Sequence, residues 1–390
     1  MKKKKVLILV GIPHFDYSDE KSAVLSWLNQ IKSAFEEVGY EVVFADSYEG
    51  KISKSISVEK NKKSLVEVVK SVMKKWPWLY YSLVFRKYFS AQNEMSQQII
   101  DRHSGIDLVI EFHAVGSLVG LEVAKHFNAS FSVIFDSPVD EQFVEMHGTK
   151  SMYWKRICES ERSTLEAADK VMVYSQACED HIRSKYNIKA KVNQLPSALN
   201  KPVDEIVRND GGNFNIGFIG SFLVWHKVDL LVKVFEKFHA KYSKSNLILL
   251  GYGEQWLSIK KQIEKSPAKD AIKLPGFVSE EELIEFKSQF TIATMPGSNW
   301  YGSPLKLFEY SRAGIPFIAP VSKTVSCIYE DGVHCLYVKE EDEEGSLFKA
   351  LETMYLQPKL RNDLGRQANE MIERYYNKST YFGKLIKNLS

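Results

Sequence analysis

The chain has no apolar run long enough to cross a bilayer, which argues against a membrane-spanning helix and predicts a soluble protein. Cysteine is scarce: Cys158, Cys178, Cys327 and Cys335 are the only four, spaced neither as close pairs nor as metal ligands. A disulfide scaffold and a zinc site are thereby set aside, no metal is expected, and the thiols are predicted to be reduced, as in a cytoplasmic protein. An excess of one charge is missing as well. A net charge of +3 is too small to argue for nucleic acid as a partner. Nor is an export signal expected. Met1-Lys2-Lys3-Lys4-Lys5 precedes Val6-Leu7-Ile8-Leu9-Val10, but the apolar part is short, breaks at Gly11-Ile12-Pro13, and leads to no small-residue cleavage site.

What is present points to two domains. With 390 residues, 44% of them hydrophobic and 12% aromatic, the chain can bury two cores of ordinary size. The aliphatic run Val6 to Val10 reads as a parallel strand. A Gly-containing loop, an amphipathic segment from about Lys21 to Val38 and a second strand from Glu41 to Ala45 follow it, the opening of a doubly wound sheet. Further strands are predicted from Asp107 to Phe112, ending in His113, and from Phe131 to Phe135, ending in Asp136. A polar connection from about Lys201 to Asn213 reads as a linker. The pattern then restarts at Asn215 to Ile219, which leads into Gly220-Ser221 and on to His226-Lys227. Later strands end at Gly251 and at Gly276-Phe277-Val278. Residues 54–89 interleave lysines with Trp76, Trp78, Tyr80, Tyr81, Phe85, Tyr88 and Phe89. Such a segment either packs its aromatics onto the domain or makes a peripheral contact with an anionic membrane surface. The acidic run Glu340 to Glu344 is read as a solvated helix start without chemistry.

One stretch organises the reading, Gly302-Ser303-Pro304-Leu305-Lys306-Leu307-Phe308-Glu309-Tyr310, which runs to Gly314 and Pro316 before an apolar strand. Ser303 suits an N-cap and Pro304 the first helical position, while Gly314 stops the helix. Its free N–H groups and Lys306 would make an anion site, with Glu309 three residues further along the same face. A ligand with a diphosphate and then a ribose diol matches that spacing. Spacing alone leaves equally open an ordinary capped helix whose Lys and Glu form a surface ion pair.

The same stretch closely resembles the C-terminal nucleotide-binding signature of the retaining GT-B glycosyltransferases, the large family four type or glycosyl transferases group 1. The likeness is to the subgroup with Ser-Pro-x-Lys-x-x-Glu and Trp-His. It implies an α/β, GT-B architecture of two doubly wound Rossmann-like domains facing across a cleft. Residues 1–200 would bind acceptor, 201–213 would link, 214–370 would bind nucleotide sugar, and a helix in 371–390 would cross back. The resemblance makes Lys306, His226, Asp136 and His113 the catalytic candidates. It places the donor nucleotide against Glu309, Ser303, Pro304, Leu305, Tyr301, Gly302, Gly220, Ser221, Lys227, Gly251, Gly276, Phe277 and Val278, with Glu309 on the ribose hydroxyls. Of His226 and Lys227, His226 is the better aligned with the diphosphate. Tyr301 stands eight positions before Glu309, where many relatives carry a carboxylate. His113, a lone His at a strand end, is equally readable as a structural residue.

The expected activity is transfer of a sugar, with retention and without metal or cofactor, from a UDP- or GDP-sugar to a glycan or lipid-linked acceptor. Cell-surface polysaccharide or glycoconjugate synthesis is the implied setting, in the cytoplasm or at the inner face of a membrane. The rival readings are a non-catalytic GT-B subunit that binds a partner glycosyltransferase or glycan, and a GT-B nucleotide-sugar epimerase or hydrolase. A two-lobed periplasmic binding protein is set aside because no export signal is expected.

Overall fold

The computed structural model of the chain describes residues 3–10, 23–46, 52–53, 76–196 and 212–390. The first loop, the lysine-rich part of 54–75 and most of the expected linker lie outside these residues. The chain divides into two compact units, Met1–Pro196 with Phe382–Ser390, and Ser197–Tyr381.

The first unit is built on a seven-stranded sheet in the order β3-β2-β1-β4-β5-β6-β7. Its strands are β1 Lys4–Val10, β2 Tyr40–Asp46, β3 Ile52–Ser53, β4 Leu108–Phe112, β5 Ser130–Phe135, β6 Lys170–Val173 and β7 Lys191–Gln194. All pairings are parallel except that of β2 with the edge strand β3. Val6 to Val10 are buried throughout, as a strand covered on both faces requires. The chain returns to this unit at its end. The helix Lys378–Leu389 buries Leu385 and Leu389, and Ser132 Oγ donates to the Leu389 carbonyl at 2.7 Å.

The long helix Pro77–Arg102 divides the aromatic segment. Phe85, Tyr88 and Phe89 are buried in a cluster with Phe143 and Ile157, so these aromatics pack on the domain. Trp76, Trp78, Arg86 and Lys87 are exposed. Among the described residues no helix is long and apolar enough to cross a membrane.

The second unit has a six-stranded, wholly parallel sheet in the order β10-β9-β8-β11-β12-β13. Its strands are β8 Phe214–Ile219, β9 Ser245–Leu250, β10 Ile272–Gly276, β11 Ile292–Thr294, β12 Phe317–Pro320 and β13 Leu336–Val338. The core beneath it joins Ile216, Phe218, Phe222, Phe235, Phe238 and Leu249. The acidic run does more than its sequence reading allows. Asp342 caps the helix Glu343–Leu356, Glu343 takes the ammonium of Lys227, and Glu344 takes those of Lys233 and Lys237. The reason is packing: the neighbouring helix Val228–Lys241 presents Lys233 and Lys237 one turn apart to the start of this one.

Candidate active site

In the second sheet the strand order reverses between β8 and β11, and the loops at the carboxyl ends of strands at such a switch point are where α/β sheets bind ligands. The loop after β8 begins at Gly220, whose φ is +147°. A side chain there would come within 2.8 Å of Lys306 Cε, so the missing Cβ gives Lys306 its path. Gly251, after β9, has φ +127° and would bring a Cβ within 2.0 Å of the Gly220 carbonyl oxygen. Hydrogen bonds stitch the three loops together. Gly220 N donates to Leu250 O at 3.0 Å, Phe222 N to Tyr252 O at 3.1 Å, and Gly251 N to Gly276 O at 2.8 Å. Ser221 is exposed, Phe277 is 71% exposed beyond β10, and Val278 beside it is half-buried.

The signature helix spans Leu305–Arg312 and starts one residue later than the sequence reading has it. Pro304, not Ser303, is the cap, with φ −81° and ψ 61°, and no side chain caps the helix. The physical reason is that this ψ folds the chain into a tight turn. Leu305 N reaches Ser303 O at 2.9 Å and Leu307 N reaches Pro304 O at 2.9 Å. Two N–H groups expected to face an anion are therefore already spent. Gly302 is held from below, its N–H donating to Asn299 Oδ1 at 2.7 Å. Tyr301 is only 2% exposed and packs edge-on against Trp300, so it offers a donor sugar almost no surface. Burial of the ring in the loop, where a carboxylate would have stayed in water, accounts for the difference.

Tyr310, within the motif but given no role by sequence reasoning, fixes this helix to the sheet. Its fully buried hydroxyl accepts from Ile219 N at 2.9 Å, immediately before Gly220, and donates to Thr294 O on β11 at 3.5 Å. Tyr310→Phe strands the Ile219 N–H, so we expect a loss of about 1–3 kcal/mol in denaturant unfolding of the second unit.

Lys306 is partly buried, with Nζ 2.8 Å from His226 Nε2 and 5.1 Å from the centroid of the Phe218 ring. Burial pulls its pKa down to about 7 against the opposing charge of Glu309. His226 is held down to about 3 by burial and then by Lys306. Both of its ring nitrogens are engaged, Nδ1 lying 2.5 Å from Ser221 O. Sequence reading gives His226 a share in holding phosphate charge; here the ring is turned onto protein atoms. Lys227, a second diphosphate candidate, is drawn away, since its φ of +51° directs the side chain to Glu343. Glu309 is half-buried one turn beyond Lys306, and Leu305 lies beside it on the partly exposed face.

The acceptor-side candidates sit in the first unit. His113 is 5% exposed, and its Nε2–H donates to Glu161 Oε2 at 3.2 Å. Burial acts to lower its pKa, but the hydrogen bond and charge of Glu161 prevail and raise it. Glu161, fully buried, also accepts from Lys185 Nζ at 3.3 Å and from the Tyr186 hydroxyl. Burial works against its charge, yet His113 and these partners hold it at about 2. Glu111, also fully buried on β4, lies where a side chain at position 120 would be 2.3 Å from its Oε2. Burial raises its pKa. Asp136 is partly exposed at the end of β5 and is pushed by burial to about 6. His113 thus carries a structural tie as well as a strand-end position. Glu111 and Glu161 escaped the sequence reading, although a carboxylate inside the run Leu108 to Phe112 is a legible signal. Among the described residues no cluster of three or more His, Cys, Asp or Glu could hold a metal ion.

Comparison with known proteins bears on the fold that carries these loops. The chain has the fold of sucrose-phosphate synthase from Thermosynechococcus elongatus, with TM-score 0.69 and 15% identity over 99% of this chain and 98% of that one. It is similar to HepE of Anabaena in complex with UDP, with TM-score 0.64 and 13% identity over 100% and 99% of the two chains. It is also similar to WaaG, described as a glycosyltransferase involved in lipopolysaccharide biosynthesis, with TM-score 0.68 and 12% identity over 99% of both chains. No curated protein matches the chain in sequence. Residues 202–371, within the second unit and including most of the expected linker, match the family Glycosyl transferases group 1, and the two α/β units of the chain have the GT-B fold.

Proposed function

We propose that the protein is a retaining, metal-independent glycosyltransferase that moves a sugar from a nucleoside diphosphate donor to a glycan or lipid-linked acceptor. The observation that carries this reading is the corner where Lys306, reaching past Gly220, meets the loop after β8, itself stitched to the loop after β9, with Glu309 one turn away. It lies inside the part of the chain that matches Glycosyl transferases group 1. The UDP held by HepE lends support to a nucleotide donor.

As the sugar departs, negative charge grows on the diphosphate. A pre-aimed ammonium beside a helix start stabilises that charge by several kcal/mol without reorganisation at the moment of reaction. Glu309 holds the ribose hydroxyls and sets the donor's register. The leaving phosphate accepts the acceptor's proton, and Asp136 and His113 face the acceptor side in this scheme.

Calorimetry with UDP and GDP tests the donor half. Glu309→Ala is expected to weaken binding by about ten- to hundredfold, the loss of hydrogen bonds to a charged group. Equal affinity in the variant would remove Glu309 from the site. Incubation with a panel of UDP- and GDP-sugars, read by NMR for anomeric configuration, separates transfer with retention from hydrolysis or epimerisation.

A further inference from the structure

His226 and Lys306 stand 80 residues apart in sequence and meet at 2.8 Å. The Ser221 carbonyl can only accept a hydrogen bond, so His226 Nδ1, 2.5 Å from it, carries the ring proton. In a neutral imidazole Nε2 is then a bare lone pair, and the atom before it is Lys306 Nζ. Lys306 is therefore the donor. A doubly protonated ring would press imidazolium against ammonium across one hydrogen bond, which burial makes worse. The charged group that acts on Lys306 is Glu309, Lys306 in turn acts on the titratable His226, and the Phe218 ring closes another side.

We infer that His226 is a neutral positioning residue whose Nε2 lone pair aims the Lys306 ammonium at the loop after β8, so that an entering phosphoryl group meets one directed cation rather than two. The inference rests on reading this corner as a diphosphate site. It assigns His226 a task that depends on an acceptor atom at a given reach, not on charge. Gln, whose Oε1 can stand near the place of Nε2, should substitute; Leu, of similar bulk but without an acceptor, should not.

Two measurements on the full chain test this. In the ligand-free protein, ¹⁵N NMR of His226 is expected to show the neutral Nδ1–H tautomer at pH 6; an Nε2–H tautomer or an imidazolium at that pH overturns the assignment. This result does not depend on sugar transfer. Calorimetry with inorganic pyrophosphate is then expected to leave His226→Gln within about threefold of wild type and to weaken His226→Leu by about tenfold or more, a charged hydrogen bond's share. A Gln variant as poor as Leu, or a Leu variant equal to wild type, overturns it. Failure of wild type to bind pyrophosphate overturns the aimed-cation claim together with the diphosphate site. Pyrophosphate binding without sugar transfer overturns only the enzymatic reading.

Discussion

Lys306→Met is expected to lower kcat/KM for sugar transfer by about a hundred- to a thousandfold, the usual cost of removing one pre-aimed donor from a developing oxyanion. The size follows from how little else remains. Lys227 is held by Glu343, His226 presents a lone pair, and the N–H groups of Leu305 and Leu307 are spent on Ser303 and Pro304 carbonyls. The pH profile carries a second signature. Burial sets Lys306 at about 7, so the ammonium is present below that pH and is lost above it. Wild-type kcat/KM should therefore have an alkaline limb near pH 7, absent in Lys306→Met. In kcat the limb should move to higher pH, because a bound diphosphate favours the charged lysine. A variant with wild-type kcat/KM would remove Lys306 from the reaction.

Glu161→Ala is expected to destabilise the first unit by about 3–5 kcal/mol, the cost of breaking a buried ion pair from one side. The carboxylate is fully buried and receives His113, Lys185 and Tyr186 together, so its loss strands the His113 and Tyr186 donors, while Lys185 keeps Asp140 at 2.6 Å. The pH dependence follows from the direction of the shift. The folded-state pKa of Glu161 lies at about 2, below its ordinary 4.5. Its contribution is thus fully present above pH 4.5 and drains away as pH falls toward 2. Asp136, raised to about 6, acts the other way: its contribution is present below its ordinary 3.8 and is lost as pH rises through 6. Denaturant unfolding across pH 3–7 should therefore show a steep acid limb in wild type that is flattened in Glu161→Ala. An unchanged limb would show that the network adds nothing to stability.

The sequence by itself determined the α/β class and the two doubly wound units. Aliphatic runs such as Val6 to Val10 and Leu247 to Leu250, each ending in a Gly-containing loop, allow little else once their lengths and punctuation are read. It also offered Gly220, Lys306 and Glu309 as candidates for one site, by a resemblance to a nucleotide-binding signature, since the spacing alone fits an ordinary capped helix equally well. Only the tertiary structure decided which of the cations is free to act. Lys227 and Glu343 lie 116 residues apart and His226 and Lys306 lie 80 apart; no local period encodes either pairing. The cap at Pro304, the burial of Tyr301 and the tie from Tyr310 to Ile219 likewise follow from how a short helix seats on β8 and β11. Local pattern sets where a chain turns and which face it buries. Hydrogen bonds between remote side chains are settled only when packing brings them within reach, and there desolvation makes each unpaired group too costly to leave.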